Sequence, residues 1–136
     1  MITYQNKLDA LVPNVIVPGA KYYVDSTNGD NNNVGSKLSP VKSTKEALDR
    51  CIANAGDYIY LMPGFSEAIT TAGGLDIDKA GVTIVGLGRG TKMPIYSWGA
   101  ADATMVIDEN NVRFENVNFQ ANFADVAVGI DVGAVD

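Results

Sequence analysis

Two stretches of the chain, "DIDKAGVTIVGLG" at 76–88 and "VIDENNVRFENVNF" at 106–119, carry one pattern written twice, thirty residues apart. Each has Ile-Asp, three further residues, Val, one residue, a large apolar residue, two residues, then an apolar one. The pairs are Ile77 with Ile107, Asp78 with Asp108, Val82 with Val112, Ile84 with Phe114 and Leu87 with Val117. A third, shorter copy, "GIDVGAVD" at 129–136, gives Ile130, Asp131 and Val135. Near-repeats of this length with variable inserts are the mark of a solenoid, whose single rung cannot bury its own apolar face and whose stacked rungs share one core. The repeat therefore predicts that Ile77 stacks beneath Ile107, and Ile107 beneath Ile130, one strand spacing apart. Alternation puts Leu75 and Ile77 on one face and Asp76 and Asp78 on the other. Chance in an Ile-, Val- and Asp-rich chain is the alternative, but it does not account for the agreement of the first two copies at three positions beyond Ile-Asp.

The rest of the chain reads as short strands around one helix. Residues 1–20, broken by Pro13, Pro18 and Gly19, form an arm ahead of a domain at 21–136. "KYYVD" at 21–25 is a β-branched and aromatic strand, followed by an Asn/Gly/Asp-rich loop suited to tight turns. That loop lacks the spacing of an EF-hand. "STKEALDRCIANAG" at 43–56 predicts the one helix, capped by Ser43 or Thr44, with Ala47, Leu48, Cys51, Ile52 and Ala55 on its apolar face and Gly56 as its stop. From "DYIYLMPG" onward, strands of three to seven residues are separated by glycine, asparagine and short polar turns. Too few helices remain for the crossovers of a doubly wound sheet, so the class is all-β.

Composition removes several functions. Net charge is −6, which argues against a nucleic-acid surface and weakly repels an acidic polysaccharide. There is no histidine, so His-dependent triads and His-ligated zinc are excluded. No run approaches the roughly 20 apolar residues of a membrane span, and the first residues do not read as a signal peptide. The single cysteine, Cys51, falls on the helix's apolar face as an inert core thiol.

"KYYVDSTNGDNNNVGSKLSPVKSTKEALDRCIANAGDYIYLMPG" resembles the opening of right-handed parallel β-helix proteins of the pectate-lyase-like superfamily. A strand ending in Val-Asp, a polar loop, Ser-Pro, a capping helix and a Gly-Asp strand ending in Pro-Gly precede the coils there. "AGVTIVGLGRGTKMPIYSW" resembles a first coil, and "ANFADVAVGIDVGAVD" resembles stretches of structural proteins from tailed-phage genomes. The resemblance covers about residues 21–136. It implies a right-handed parallel β-helix with an N-terminal capping α-helix. The third rung is begun and not finished, which reads as a fragment truncated at its C-terminal end, or as an end that another chain completes.

Candidate chemistry is sparse. In register, Asp78 and Asp108 would sit about 5 Å apart, with Asp131 extending the row, a spacing that suits a retaining glycosidase pair or a cation site. Each of these aspartates also ends a strand before a turn, where it is expected to accept backbone N–H groups. Tyr96 and Trp98 alternate to the same face of "PIYSWG", either a sugar-stacking platform if outward or core if inward. Arg89, Lys92 and Arg113 are the basic residues after Lys79, and none lies in a lyase motif. "GLGRG" reads as turns between rungs, since it lacks both phosphate-loop spacings.

The expected function is structural: a virion component of a tailed bacteriophage, on capsid or tail, without a cofactor or catalytic residues in this region. Arm 1–20 is expected to attach to other virion proteins, an exposed flank to support a homotrimer, and a host surface glycan to be a partner. The rival readings are a β-helix polysaccharide lyase or glycoside hydrolase, and a non-catalytic glycan-binding module that would need Tyr96 and Trp98 exposed.

Overall fold

The computed structural model describes residues 19–133; the greater part of the 1–20 arm and the last three residues lie outside them. The described chain is mainly β with one α-helix. Its strands are β1 (Lys21–Val24), β2 (Tyr58–Leu61), β3 (Ser66–Ile69), β4 (Leu75–Ile77), β5 (Thr83–Gly86), β6 (Ile95–Trp98), β7 (Met105–Ile107), β8 (Arg113–Glu115), β9 (Asn118–Ala121) and β10 (Ile130–Val132), and helix α1 (Thr44–Arg50) lies between β1 and β2. They form three open sheets, ordered β1-β2-β5-β8, β3-β6-β9 and β4-β7-β10, and every named pair is parallel. From β2 onward the chain visits the three sheets in a fixed rotation, three times over. Parallel neighbours need such long connections, because no hairpin can join them.

The first two copies of the repeat pair as their sequence requires. Ile77 lies beside Ile107, and Ile84 beside Phe114. The third copy does not follow. Ile107 pairs with Val132, and Ile130 pairs with Met105. The slip is two residues, so the apolar side chains still face inward and only the partners change.

Inward positions build one core. Val24, Ile59, Ile84, Leu75, Ile77, Met105, Phe65 and Tyr96 are buried within it. Outward positions of β2 and β5 are half-buried. The corner before each of the last three strands of the first sheet repeats as well. Gly56, Gly81 and Asn111 each stand two residues ahead of β2, β5 and β8, with φ of +74°, +76° and +59°. The same left-handed turn is thus made by the residue types that tolerate it best.

Helix α1 begins as expected, with the Ser43 hydroxyl accepting from Glu46 N–H. It ends earlier, at Arg50. The Asp57 carboxylate draws the chain out of the helix, accepting from Ile52 N–H through Oδ2 and from Ala20 N–H through Oδ1, both at 2.8 Å. Asp57 is buried, and these bonds tie the lead-in to β1, the exit of α1 and the start of β2 together. Ile52 consequently leaves the apolar face and is 69% exposed, whereas Ala47, Leu48 and Cys51 stay in the core.

The two isoleucines make a contrast that urea unfolding can read. Ile77→Ala is expected to lower stability by about 3 kcal/mol through lost burial and a residual cavity, and Ile52→Ala to change it by no more than about 0.5 kcal/mol.

Candidate functional site

Tyr96 and Trp98 lie on β6, facing inward. Tyr96 is fully buried and Trp98 is 3% exposed. Neither ring is open to a sugar; of the two faces the sequence left open, both residues take the inward one and pack in the core. Tyr96 meets Phe65 and Phe114 edge-on, at 5.4 and 6.4 Å between ring centres. Trp98 packs against Phe119, and its indole N–H is buried without a protein partner.

The aspartate row is also rearranged. Asp78 and Asp108 follow the paired Ile77 and Ile107 and occupy matching positions at the ends of β4 and β7. The Asp78 carboxylate is held by lysines, with Lys79 Nζ at 3.3 Å and Lys45 Nζ at 3.6 Å. It is neutralised by helix α1 and by its own neighbour rather than by backbone turn donors. Asp108 is exposed, with Gly133 against its carboxylate so closely that a Cβ there would fall 2.0 Å from Oδ1. Asp131 does not extend the row. It pairs with Val106, which itself pairs with Asp76, so it stands two positions from the place expected of it. Among the described residues no three acidic, cysteine or histidine side chains cluster as metal ligands.

One polar chain runs into the core. Glu67 occupies an inward position on β3, in register with Tyr96. Its Oε2 accepts from Thr44 N–H at 3.1 Å and from the Thr44 hydroxyl at 2.7 Å, and Thr44 Oγ1 lies 2.7 Å from the Tyr96 hydroxyl. Thr44 and Tyr96 are both completely buried. Burial, with Glu67 nearby, pushes the Tyr96 phenol well above its ordinary range. The arrangement fixes the first turn of α1 on the core; a phenol held this firmly in its neutral form is a donor rather than a base. Cys51 is likewise inert, because burial first and the Asp57 carboxylate second push its thiol up to about 12.

Two further features reach the surface, one of them not singled out by the sequence. On the outer face of the first sheet, Tyr23 stacks on Tyr60 at 5.1 Å and Tyr58 on Tyr60 at 5.9 Å, with interplanar angles of 27° and 14°. The alternation in "YIYL", with Ile59 and Leu61 inward, was the signal for it. Between β5 and β6 the chain swings out over residues 87–94, through a 3-10 turn at Gly90–Lys92. A recess of about 670 Å³ opens beside it, lined by Gly86, Leu87, Arg89, Gly90, Met93 and Asn116. Asn116 holds the wall, its Nδ2 donating to the carbonyls of Gly86 and Gly88, both at 2.8 Å. "GLGRG" is therefore a turn, as its spacing requires, but a turn that borders a cavity.

No helix among the described residues is long and apolar enough to cross a membrane. The chain matches no protein-family profile, no curated protein and no solved structure.

Two measurements test these assignments. Glu67→Ala is expected to cost about 2 kcal/mol and Glu67→Gln about half of that, since the amide oxygen keeps an acceptor for Thr44. The folded chain holds the Cys51 proton that the unfolded chain releases near pH 9. Stability should therefore fall as pH rises from about 9 toward 12, with Tyr22 and Tyr96, also raised, adding in the same sense. Cys51→Ala should flatten the lower part of that decline in urea titrations taken at successive pH values.

Proposed function

We propose that the chain is a right-handed parallel β-helix serving as a non-catalytic, structural part of a tailed-phage particle. The observation that carries the fold is the fixed rotation of the chain through three parallel sheets, with the repeat's own residues as register partners. The right-handed sense follows the strong preference of parallel β crossovers. The structural role rests on where the reactive groups are spent. Tyr96 and Trp98 belong to the core, Asp78 to its lysines, Glu67 to the helix, and Asp57 to the backbone. Phage origin rests on the resemblance of "ANFADVAVGIDVGAVD" and of the capped opening to such proteins. In this reading arm 1–20 attaches the domain to other virion proteins and the flanks face neighbouring copies. A hydrogen-bonded stack suits such a place because it unfolds slowly.

A glycan-binding module is the second reading. It is favoured by the stacked Tyr23, Tyr58 and Tyr60 on an outer face, a position that Tyr96 and Trp98 do not hold.

Peptide mapping of density-purified particles from the source lysate separates these. The structural reading expects peptides of this chain in the particle band, in fixed ratio to the major capsid or tail protein. Recovery only from the soluble fraction, with particles free of it, would overturn that reading.

A further inference from the structure

Asn28-Gly29 is the one place in the sequence where asparagine precedes glycine. Such a pair readily loses its side-chain amide, because glycine puts no side chain in the way of its own backbone nitrogen. Here the glycine cannot be exchanged for a safer residue. A Cβ at position 29 would fall 2.2 Å from Val41 O and 2.4 Å from Asp25 O. Val41 belongs to the segment bonded along β1, donating to Tyr23 O at 3.0 Å and accepting from Asp25 N–H at 2.9 Å. Gly29 is therefore wedged between the end of β1 and the segment that covers it. Close packing imposes a chemically labile pair on a turn whose Asn28 is exposed to water.

The same turn restrains both reacting groups. Gly29 N–H donates to Asp25 O at 2.9 Å. Asn28 N–H donates to Asp25 Oδ1 at 3.0 Å, beside Thr27 N–H at 2.9 Å, and Asn28 Nδ2 approaches Asp25 Oδ2 at 3.5 Å. An Asx turn of this kind fixes the backbone on either side of Asn28. For the amide to be lost, the Gly29 nitrogen must give up its proton and swing onto Asn28 Cγ. That motion breaks its bond to Asp25 O and pulls Gly29 out of the slot beneath Val41 O.

We propose that Asn28 is a latent self-modification site, held unreactive by this turn and released when the covering segment lifts from β1. The inference is independent of the particle role. In the released chain the Gly29 nitrogen bonds to Asn28 Cγ, and the Cγ–Nδ2 bond breaks. The Gly29 proton leaves with Nδ2 as ammonia. The resulting succinimide takes up one water. Opening at Cγ gives aspartate at position 28, and opening at the main-chain carbonyl gives isoaspartate, with one extra carbon in the backbone.

Neither product fits the closed turn. Aspartate sets a second carboxylate where Nδ2 approached Asp25 Oδ2, so a donor facing an acceptor becomes two like charges at close range. Isoaspartate lengthens the main chain between the Asp25 anchor and the Gly29 slot, where no space is left for it. One opening that runs to completion thus weakens the cover of β1 permanently.

The full chain is held at mildly alkaline pH, folded in buffer or unfolded in guanidinium chloride. Conversion is read by fragment mass spectra of the tryptic peptide Tyr22–Lys37, in which Asn31, Asn32 and Asn33 serve as references. Asn28 is expected to convert at least about fivefold more slowly in the folded chain, by the fraction of time the turn is open; a smaller difference overturns the proposal. Asp25→Ala, in a chain with native circular dichroism, is expected to convert faster than the parent in buffer, and an unchanged rate would show that the turn is not the restraint. Asn28→Asp supplies one product directly. Its urea midpoint should lie below the parent's at low salt and approach it as salt screens the new carboxylate from Asp25. A midpoint equal to the parent's at low salt would refute the weakening of the cover.

Discussion

Parallel, in-register pairing is the constraint on which the molecule depends. It sets each inward side chain directly against its equivalents on the neighbouring strands, so a column must be compatible along its whole length. Ile59, Ile84 and Phe114 make such a column in the first sheet, and Leu75, Met105 and Ile130 in another. The third sheet holds Glu67, Tyr96 and Phe119 in one column, and there the rule bends. A carboxylate is tolerated because it stands at the capped end, where the first turn of α1 offers it Thr44's N–H and hydroxyl. One strand further along it would have faced apolar neighbours on both sides without a donor, at a cost of several kcal/mol.

The same constraint explains why the corners are conservative in conformation while their connections vary in length. Gly56, Gly81 and Asn111 turn the chain identically because the strand behind each must start in register with the one before. Between β5 and β6 the chain takes an excursion over 87–94, whereas β8 and β9 are joined by Asn116 and Val117 alone. The excursion does not disturb register, because the strands on either side still pair with their equivalents. Variation is confined to what projects outward. The recess bordered by Leu87, Arg89 and Met93 is its product.

Much of this was legible. The thirty-residue match required Ile77 beside Ile107 and Ile84 beside Phe114 on stacked rungs, and short strands with too few helices for a doubly wound sheet required a mainly β class. The slip at the third copy was not legible for a physical reason: moving a strand by two residues preserves which side chains face inward, so Ile130 and Val132 satisfy either register equally. The end of α1 was hidden because an apolar periodicity continues through Ile52 and Ala55. The competing acceptor, Asp57, stands outside that segment and acts only once β2 is in place. The orientation of Tyr96 and Trp98 stayed open in the sequence, since aromatic residues at alternate positions suit either face. Glu67 gave no signal, because a lone carboxylate in a strand reads as an outward residue until the helix above it is known.

The distribution of polar groups then decides where recognition can reside. Among the described residues the Trp98 indole N–H is the fully buried side-chain polar atom without a partner, whereas Thr44, Asp57 and Tyr96 are bonded to structural ones. A ligand approaching the interior would have to displace bonds that hold α1 and β1 in place. The outer faces carry the remaining chemistry: three tyrosines on the first sheet, Arg89 beside its recess, and the Arg113–Glu115 pair on β8. The aspartates at strand ends illustrate the difference. Stacked like charges one strand apart repel, and Asp78 is relieved of this by Lys45 and Lys79, while the shifted register moves Asp131 away from Asp108 altogether. A fold that repeats its side chains at strand spacing must either neutralise its charges or stagger them, and this chain does both.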